Sequence, residues 1–379
     1  MVDKAMLHTT REVDPVTGVV SYNGVSRAVF TTHPIEKPYL IFQIGSADPE
    51  LAVQAAKVVQ QDVSGIDLNC GCPKPFSTHA GMGAALLTNP DLLCSILTAL
   101  RQAMPPEITV TAKIRLLPSQ EDTLKLVERI VNTGISALTV HCRTRNMREK
   151  DAAVIGRLRE IVEFVDKMGK GIAVIENGDC ENFEDAKRVR RVTGASSVMI
   201  ARGAEANPSC FSPTPLVDVE TTLMPAYFRL AKYFGHHWSL TKFCVAQFKG
   251  KRVTVTKAES TALRSTLSQG KGFEAMNDVV GTWTGEEEFK EIARAIEENP
   301  PRQRRMLPSS FVIEEGDLEE SPSTEEAPST TLVTPPNTQN PEPPTSRAPL
   351  LPKDFEKELG PPPPPALTPT PGGVQLGSL

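Results

Sequence analysis

The chain has 379 residues, room for one large or two medium domains, and its 33 prolines gather towards the C-terminus. From Met306 onward three basic residues (Arg347, Lys353, Lys357) stand against eleven acidic ones, a net −8, so the total of −5 leaves the rest of the chain at +3. Seven cysteines, with no secretory leader and no long apolar run, argue against a disulfide scaffold and a membrane-spanning chain, and the expected compartment is cytoplasm or nucleus.

In chain order, the residues before Tyr39 predict a helix from Val2 to Glu12 and a hairpin around Asn23-Gly24. Short apolar runs and amphipathic stretches then alternate as far as Phe211, the mark of parallel βα units. The expected strands are Leu40 to Ile44, Gly65 to Leu68, Ile108 to Ile114, Ala137 to His141, Ile172 to Ile175 and Ser197 to Ile200, with helices following from Pro49, Pro90, Gln120, Ala152, Asn182 and Pro208. Six units suit a doubly wound sheet or an incomplete barrel. Polar, reactive residues at the strand ends favour an α/β TIM barrel, which places its site there. After Pro215 the pattern is helical, over Thr221 to Phe234, Leu240 to Lys249, Thr256 to Leu267 and Glu286 to Glu298. The resulting division is 1–38, a barrel at 39–215, an all-α domain at 216–300 and a disordered, acidic, Pro-rich tail at 301–379. The Pro361 to Pro365 run offers an SH3 or WW ligand, with a solvated spacer as the plainer reading.

The segment Gly65-Ile66-Asp67-Leu68-Asn69-Cys70-Gly71-Cys72-Pro73-Lys74 carries the chemistry. An apolar strand delivers a thiol to a turn: Pro73 ends the strand, Gly71 allows close backbone approach, and polar Asn69 and Lys74 flank Cys72. A lone cysteine is usually a small buried hydrophobe. Here the following Gly81-Met82-Gly83 step, which is expected to open an apolar helix, favours a functional loop. Zinc is set aside because no second Cys or His pair lies at ligand spacing from Cys70 and Cys72. Lys113 ends the third strand of the series, where a cation in an apolar barrel needs an anion or loses its charge.

The motif resembles the N-x-G-C-P loop of the flavin-dependent tRNA-dihydrouridine synthases. Its extension through Ser77, Thr78 and Gly81-Met82-Gly83-Ala84-Ala85-Leu86-Leu87 resembles the eukaryotic branch acting on the D-loop uridine at position 20. The resemblance implies FMN as cofactor, NADPH or NADH as reductant and tRNA as substrate: hydride passes from reduced FMN to C6 of a flipped uridine, and Cys72 protonates C5. An ordinary thiol, with a pKa near ~8.5, is protonated at neutral pH and suited to this. It further implies that Gln43, Lys113 and His141 contact the flavin. If two strands are missing ahead of the six, Asn177 and Gly178, with Ala201, Arg202 and Gly203, fall at the seventh and eighth strand ends, where TIM barrels bind phosphate. Asn69, Lys74, Arg143 and Arg145 are placed on tRNA, and Cys142 stands where the family usually has Gly. By the same comparison Met1 falls just after strand 2, so strands 1 and 2 are expected to be missing and the barrel N-terminally truncated.

From Arg229 to Lys271 nine basic residues, among them Lys249, Lys251 and Arg252, face the single acid Glu259, a candidate phosphate-backbone footprint. Phe243, Phe248, Tyr233 and Trp238 are expected in the helical core. Two other readings compete: a flavin barrel of the dihydroorotate dehydrogenase type acting on a small molecule, and a non-catalytic tRNA-binding protein.

Overall fold

The computed structural model describes residues 2–250 and 255–300; Lys251, Arg252 and the Pro-rich tail at 301–379 lie outside them. It opens with the four-residue helix α1 (Asp3–Met6) and an antiparallel sheet of β1 (Thr10–Val13), β2 (Val20–Asn23) and β3 (Ala28–Thr32). The expected hairpin forms, Gly24 N–H reaching Arg27 O at 2.9 Å. The expected helix from Val2 to Glu12 does not: it stops at Met6, and Thr10–Val13 extends instead along β2. A long-range pull decides this. Arg11 forms a two-point bond to Asp62 at 2.7 and 2.8 Å, and buried Tyr22 donates its hydroxyl to the same carboxylate. That bidentate arrangement outweighs weak helix propensity over a few residues.

Six parallel strands follow, each joined to the next by helical segments: β4 (Ile41–Ile44), α2 (Pro49–Val59), β5 (Gly65–Cys70), α3 (Pro75–Thr78), α4 (Pro90–Ala103), β6 (Thr109–Leu116), α5 (Gln120–Val131), β7 (Ala137–Thr144), α6 (Gly156–Lys167), β8 (Ala173–Asn177), α7 (Phe183–Thr193), β9 (Ser197–Val198) and α8 (Arg202–Ala206). The strand order is strictly sequential, β4 to β9. A doubly wound sheet would reverse its order at a switch point, so this is the winding of a TIM-barrel-like α/β fold. Outside β4 a parallel bridge joins Val2 to Gly45. Caps fix the helix starts: Asp48 accepts from Glu50 and Leu51 N–H, and Asn89, Ser119 and Asn182 do the same for α4, α5 and α7.

Three further expected helices differ. Gly83–Thr88 is a 3-10 helix, not the start of an α-helix, because the glycine is pressed onto the cysteine loop. α6 begins at Gly156 rather than Ala152, since Val154 N–H is taken by Cys142 O (2.7 Å) and Ala153 N–H by Asp179 (2.8 Å). Pro208 starts only a 3-10 turn, Pro208–Phe211, capped by Asn207.

Parallel strands are usually apolar on both faces. Here they alternate. Ile66, Leu68 and Cys70 of β5, Val110, Ala112 and Ile114 of β6, and Leu138, Val140 and Cys142 of β7 all join one core beneath the helices. The intervening residues form polar rows across the other face: register sets Gln43 beside Asp67 and Thr111, Asn69 beside Lys113 and Thr139, and Arg115 beside His141 and Asn177.

A second buried cluster lies in the helices that follow: α9 (Met224–Tyr233), α10 (Trp238–Gln247), α11 (Lys257–Gln269), α12 (Asn277–Val280) and α13 (Gly285–Glu298). Phe248 is buried in it and Trp238 packs against it, donating to Gly270 O at 3.0 Å. Tyr233 instead meets Phe234 and Phe289, and Phe243 is exposed. Among the described residues no helix is long and apolar enough to cross a membrane.

Candidate functional site: the polar face of the parallel sheet

At the end of β5 the chain separates its two thiols. Cys70 is buried with the apolar face, where burial pushes its pKa well up, and is inert packing. Cys72, two residues on, is half-buried in the turn. Asn69 holds that turn: its Oδ1 accepts from the N–H groups of both Gly71 and Cys72, each at 3.0 Å. Behind, Cys72 O accepts from Ala84 N–H at 2.9 Å. Gly83, at φ +59°, makes this possible, because a Cβ there would lie 2.7 Å from Cys72 O and 2.4 Å from Ser77 Oγ. The Gly-Met-Gly step therefore serves the thiol loop. Arg115 closes the other side, donating to Gly71 O (2.8 Å) and to Thr144 O at the end of β7 (3.0 Å).

Asn69 does not stand alone. Its Nδ2 donates to Gln43 Oε1 at 2.8 Å, Gln43 Nε2 donates to Asp67 Oδ2 at 2.7 Å, and Thr111 donates to Asp67 Oδ1 at 2.6 Å. Asp67 is buried, and desolvation raises its pKa against these hydrogen bonds and the nearby Lys113. Lys113 has its pKa lowered, first by burial and further by Arg115, with Asp67 opposing. It lies within electrostatic reach of Cys72.

Beyond β6 the face becomes a cationic cavity of about 500 Å³, lined by Arg115, His141, Arg143, Arg148, Asn177, Gly178, Asp179, Ala201 and Arg202 among others. The His141 pKa falls to about 3, chiefly through burial and then through Arg115, Lys113 and Arg143, so its imidazole is neutral at pH 7. Its Nε2 lies 3.4 Å from Arg143 Nη1, and since a guanidinium only donates, Nε2 accepts and Nδ1 carries the proton. Arg143 is 4% exposed. A slip in the β6–β7 ladder beside Arg115 passes it over, and it binds Asp179 through Nη2 (2.6 and 2.5 Å) and Asp151 O through Nε (2.6 Å). Asp179 also takes Arg202 at 2.7 Å, and it does so at φ 56°, the one positive φ outside glycine among the described residues. Asn177 donates to Met199 O at 2.9 Å, tying the ends of β8 and β9 together. Cys142 lies within β7, buried on the apolar face where the ladder with β6 slips, and its φ is not positive.

The sequence-nominated residues thus divide. His141, Asn177, Gly178, Ala201 and Arg202 share one cavity; Gln43 and Lys113 lie on the same polar face nearer Cys72; Gly203 packs against Glu181, whose carbonyl oxygen a Cβ would meet at 2.0 Å. This donor set fits a phosphate-bearing aromatic cofactor: guanidiniums and a neutral imidazole at one end, amide and ammonium groups at the other. Of the residues nominated for nucleic acid, Lys74, Arg145 and Lys249 are exposed, Asn69 is consumed by the cysteine turn, and Arg143 is buried in its ion pair. The basic helical stretch is less bare than its local count. Arg229 pairs with Glu288 and donates to Val280 O, Arg264 donates to Phe248 O, Lys242 to Ser268 O, and Lys232 sits over the Trp283 ring. Asp67, Thr111, Arg115 and Asp179 join the site without being nominated by the sequence; a carboxylate interrupting the apolar alternation of β5 is the available signal for the first.

The sequence profile described as Dihydrouridine synthase (Dus) matches residues 16–297. A tRNA-dihydrouridine(20) synthase [NAD(P)+] of Schizosaccharomyces pombe is 46% identical over 259 residues, covering 65% of this chain and 52% of the relative. One of the same name from Saccharomyces cerevisiae is 38% identical over 271 residues, covering 67% and 70%. A human tRNA-dihydrouridine(20a/20b) synthase [NAD(P)+]-like protein is 36% identical over 191 residues, covering 49% and 58%. The chain spans about half the length of the fission yeast relative, at 52%. With the profile running from just before β2 to the last turn of α13, and the thiol loop, polar rows and cationic cavity all inside it, the chain belongs to the dihydrouridine synthase family.

Proposed function

We propose that this protein reduces a uridine of tRNA to 5,6-dihydrouridine, with FMN as cofactor, NADPH or NADH as reductant and Cys72 as the proton donor. The observation that carries the reading is the Cys72 loop, clamped by Asn69, Ala84 and Arg115 at the rim of a polar strand-end face. Bound FMN supplies a two-electron reductant for the pyrimidine C5–C6 bond. The protein's residues do the rest. Lys113 and Gln43 meet the polar edge of the ring, neutral His141 offers a hydrogen bond without adding charge, and Arg202 with the Gly178 backbone receives the phosphate. Asp179 already occupies part of Arg202, so the phosphate is held by that guanidinium's remaining donors and by main-chain N–H groups. Cys72 delivers its proton to C5, and a thiol at the mouth rather than in the core demands that the base leave its stack. The relatives' names favour the D-loop uridine at position 20. The helices over 216–300 grip the tRNA body, and cytoplasm or nucleus is the expected compartment.

The purified chain should show the visible absorbance of an oxidised flavin, or acquire it on adding FMN, and lose it with NADPH. A protein that stays colourless with FMN present favours a non-catalytic tRNA-binding role. Neutralising Lys249, Lys251 and Arg252 together should weaken tRNA binding and flatten the slope of log affinity against log salt by about 0.9 for each phosphate that no longer meets a cation. Unchanged affinity and slope would move the footprint to Arg145, Lys257 and Lys271.

A further inference from the structure

We propose that Asp67 is a positioning residue that fixes the direction of a hydrogen-bond relay running through Gln43 and Asn69 to the backbone of Cys72. The inference rests on Cys72 being the reacting thiol and deepens that reading.

The relay has a polarity set at both ends. At one end stand two backbone N–H groups, of Gly71 and Cys72, which can only donate, so the atom of Asn69 facing them at 3.0 Å is Oδ1. Its Nδ2 then points at Gln43 and requires an oxygen there, 2.8 Å away. Gln43 accordingly presents Nε2 to Asp67 at 2.7 Å, and the carboxylate accepts it while taking the Thr111 hydroxyl on its other oxygen at 2.6 Å. Two amides that could each be turned over are thus locked in one orientation, by main-chain donors above and a buried carboxyl group whose oxygens accept from Gln43 and Thr111 below. Asp67 touches no reacting atom in this scheme. It decides which atom of Gln43 the polar face displays, and it holds the loop carrying Cys72 against β5.

The logic separates direction from charge. An asparagine at position 67 can keep its Oδ1 towards Gln43 and give its Nδ2 to the Thr111 hydroxyl, which also accepts; the relay survives without the negative charge. A leucine of similar shape removes the acceptor and leaves Gln43 Nε2 without it. Since the Thr111 hydroxyl would also be orphaned, Asp67→Leu is paired with Thr111→Val, which replaces both ends of that hydrogen bond by apolar groups and spares the fold.

The test is amide hydrogen exchange on the full chain, resolved to Gly71 and Cys72, with Val110 in β6 and Val140 in β7 as references. In the Asp67→Leu/Thr111→Val variant, exchange at Gly71 and Cys72 should accelerate by about tenfold or more while the references hold, and Asp67→Asn should stay within about threefold of the parent. Unchanged protection at Gly71 and Cys72 in the double variant overturns the relay. Acceleration spread equally over β6 and β7 overturns it too, showing that Asp67 only supports the sheet. Asp67→Asn behaving like the double variant overturns the directional argument in favour of charge. Exchange reports on the loop whether or not Cys72 donates a proton, so this result and the fate of the proposed chemistry are separable.

Discussion

Replacing Cys72 with alanine is expected to abolish dihydrouridine formation, by about 10²-fold or more, while NADPH still reduces the flavin at close to the parent rate. The asymmetry follows from the position of the thiol. Cys72 lies on a loop at the end of β5, whereas His141, Asn177 and Arg202 line a cavity reached from β7, β8 and the segment after β9. Removing one sulfur leaves Asn69, Ala84 and Arg115 their backbone partners, because every one of those bonds goes to main-chain atoms of the loop. Dihydrouridine measured in tRNA after incubation, beside anaerobic flavin reduction, separates the two half-reactions. Normal dihydrouridine from the variant would assign the proton to another donor.

The second large effect concerns Glu176. It follows Ile175 on β8 and so falls on the helix-covered face, wholly buried, with neither carboxylate oxygen hydrogen-bonded among the described residues. Burial, reinforced by Asp179 and opposed by Arg143, pushes its pKa from 4.5 up to about 8. Between those values the folded chain keeps a proton that the unfolded chain has released. Native protons exceed unfolded ones across that window, so stability falls as pH rises through it and the penalty is complete above about 8. Glu176→Gln has the same shape and cannot ionise. It should leave stability nearly unchanged at about pH 5 and raise it by a few kcal/mol at about pH 8, as the linkage of a displaced pKa requires. Urea titrations at the two pH values check it; parallel pH dependences in the two proteins would show that Glu176 is not the group responsible.

Much of the fold could be read from the chain because its parallel units are local. Each strand is an apolar run, each helix has a polar or proline start, and the expected strands from Gly65 to Ile175 agree with the structure to within a few residues. The thiol loop was legible for the same reason: strand, turn, cysteine and proline lie within ten residues. What escaped depends on partners far apart in sequence. Arg11 is drawn into β1 by Asp62, 51 residues away, against its helical surroundings. Arg143 reads as an open cation after a strand until Asp179, 36 residues on, buries it. Charge counted in the window from Arg229 to Lys271 omits Glu288, 59 residues beyond Arg229, which neutralises that arginine. Local composition measures charge along the chain, whereas the surface presents what remains after distant partners have met.

The residue-by-residue alternation of β5, β6 and β7 has a consequence for how such a protein can change. Up to the slip near the end of β7, the even-numbered positions from Ile66 to Cys142 are apolar and lie under the helices, while odd-numbered Asp67, Asn69, Thr111, Lys113, Arg115, Thr139 and His141 form the polar face. Substitution at one parity therefore alters the polar face with little demand on the packed core, and substitution at the other alters packing while leaving that face in place.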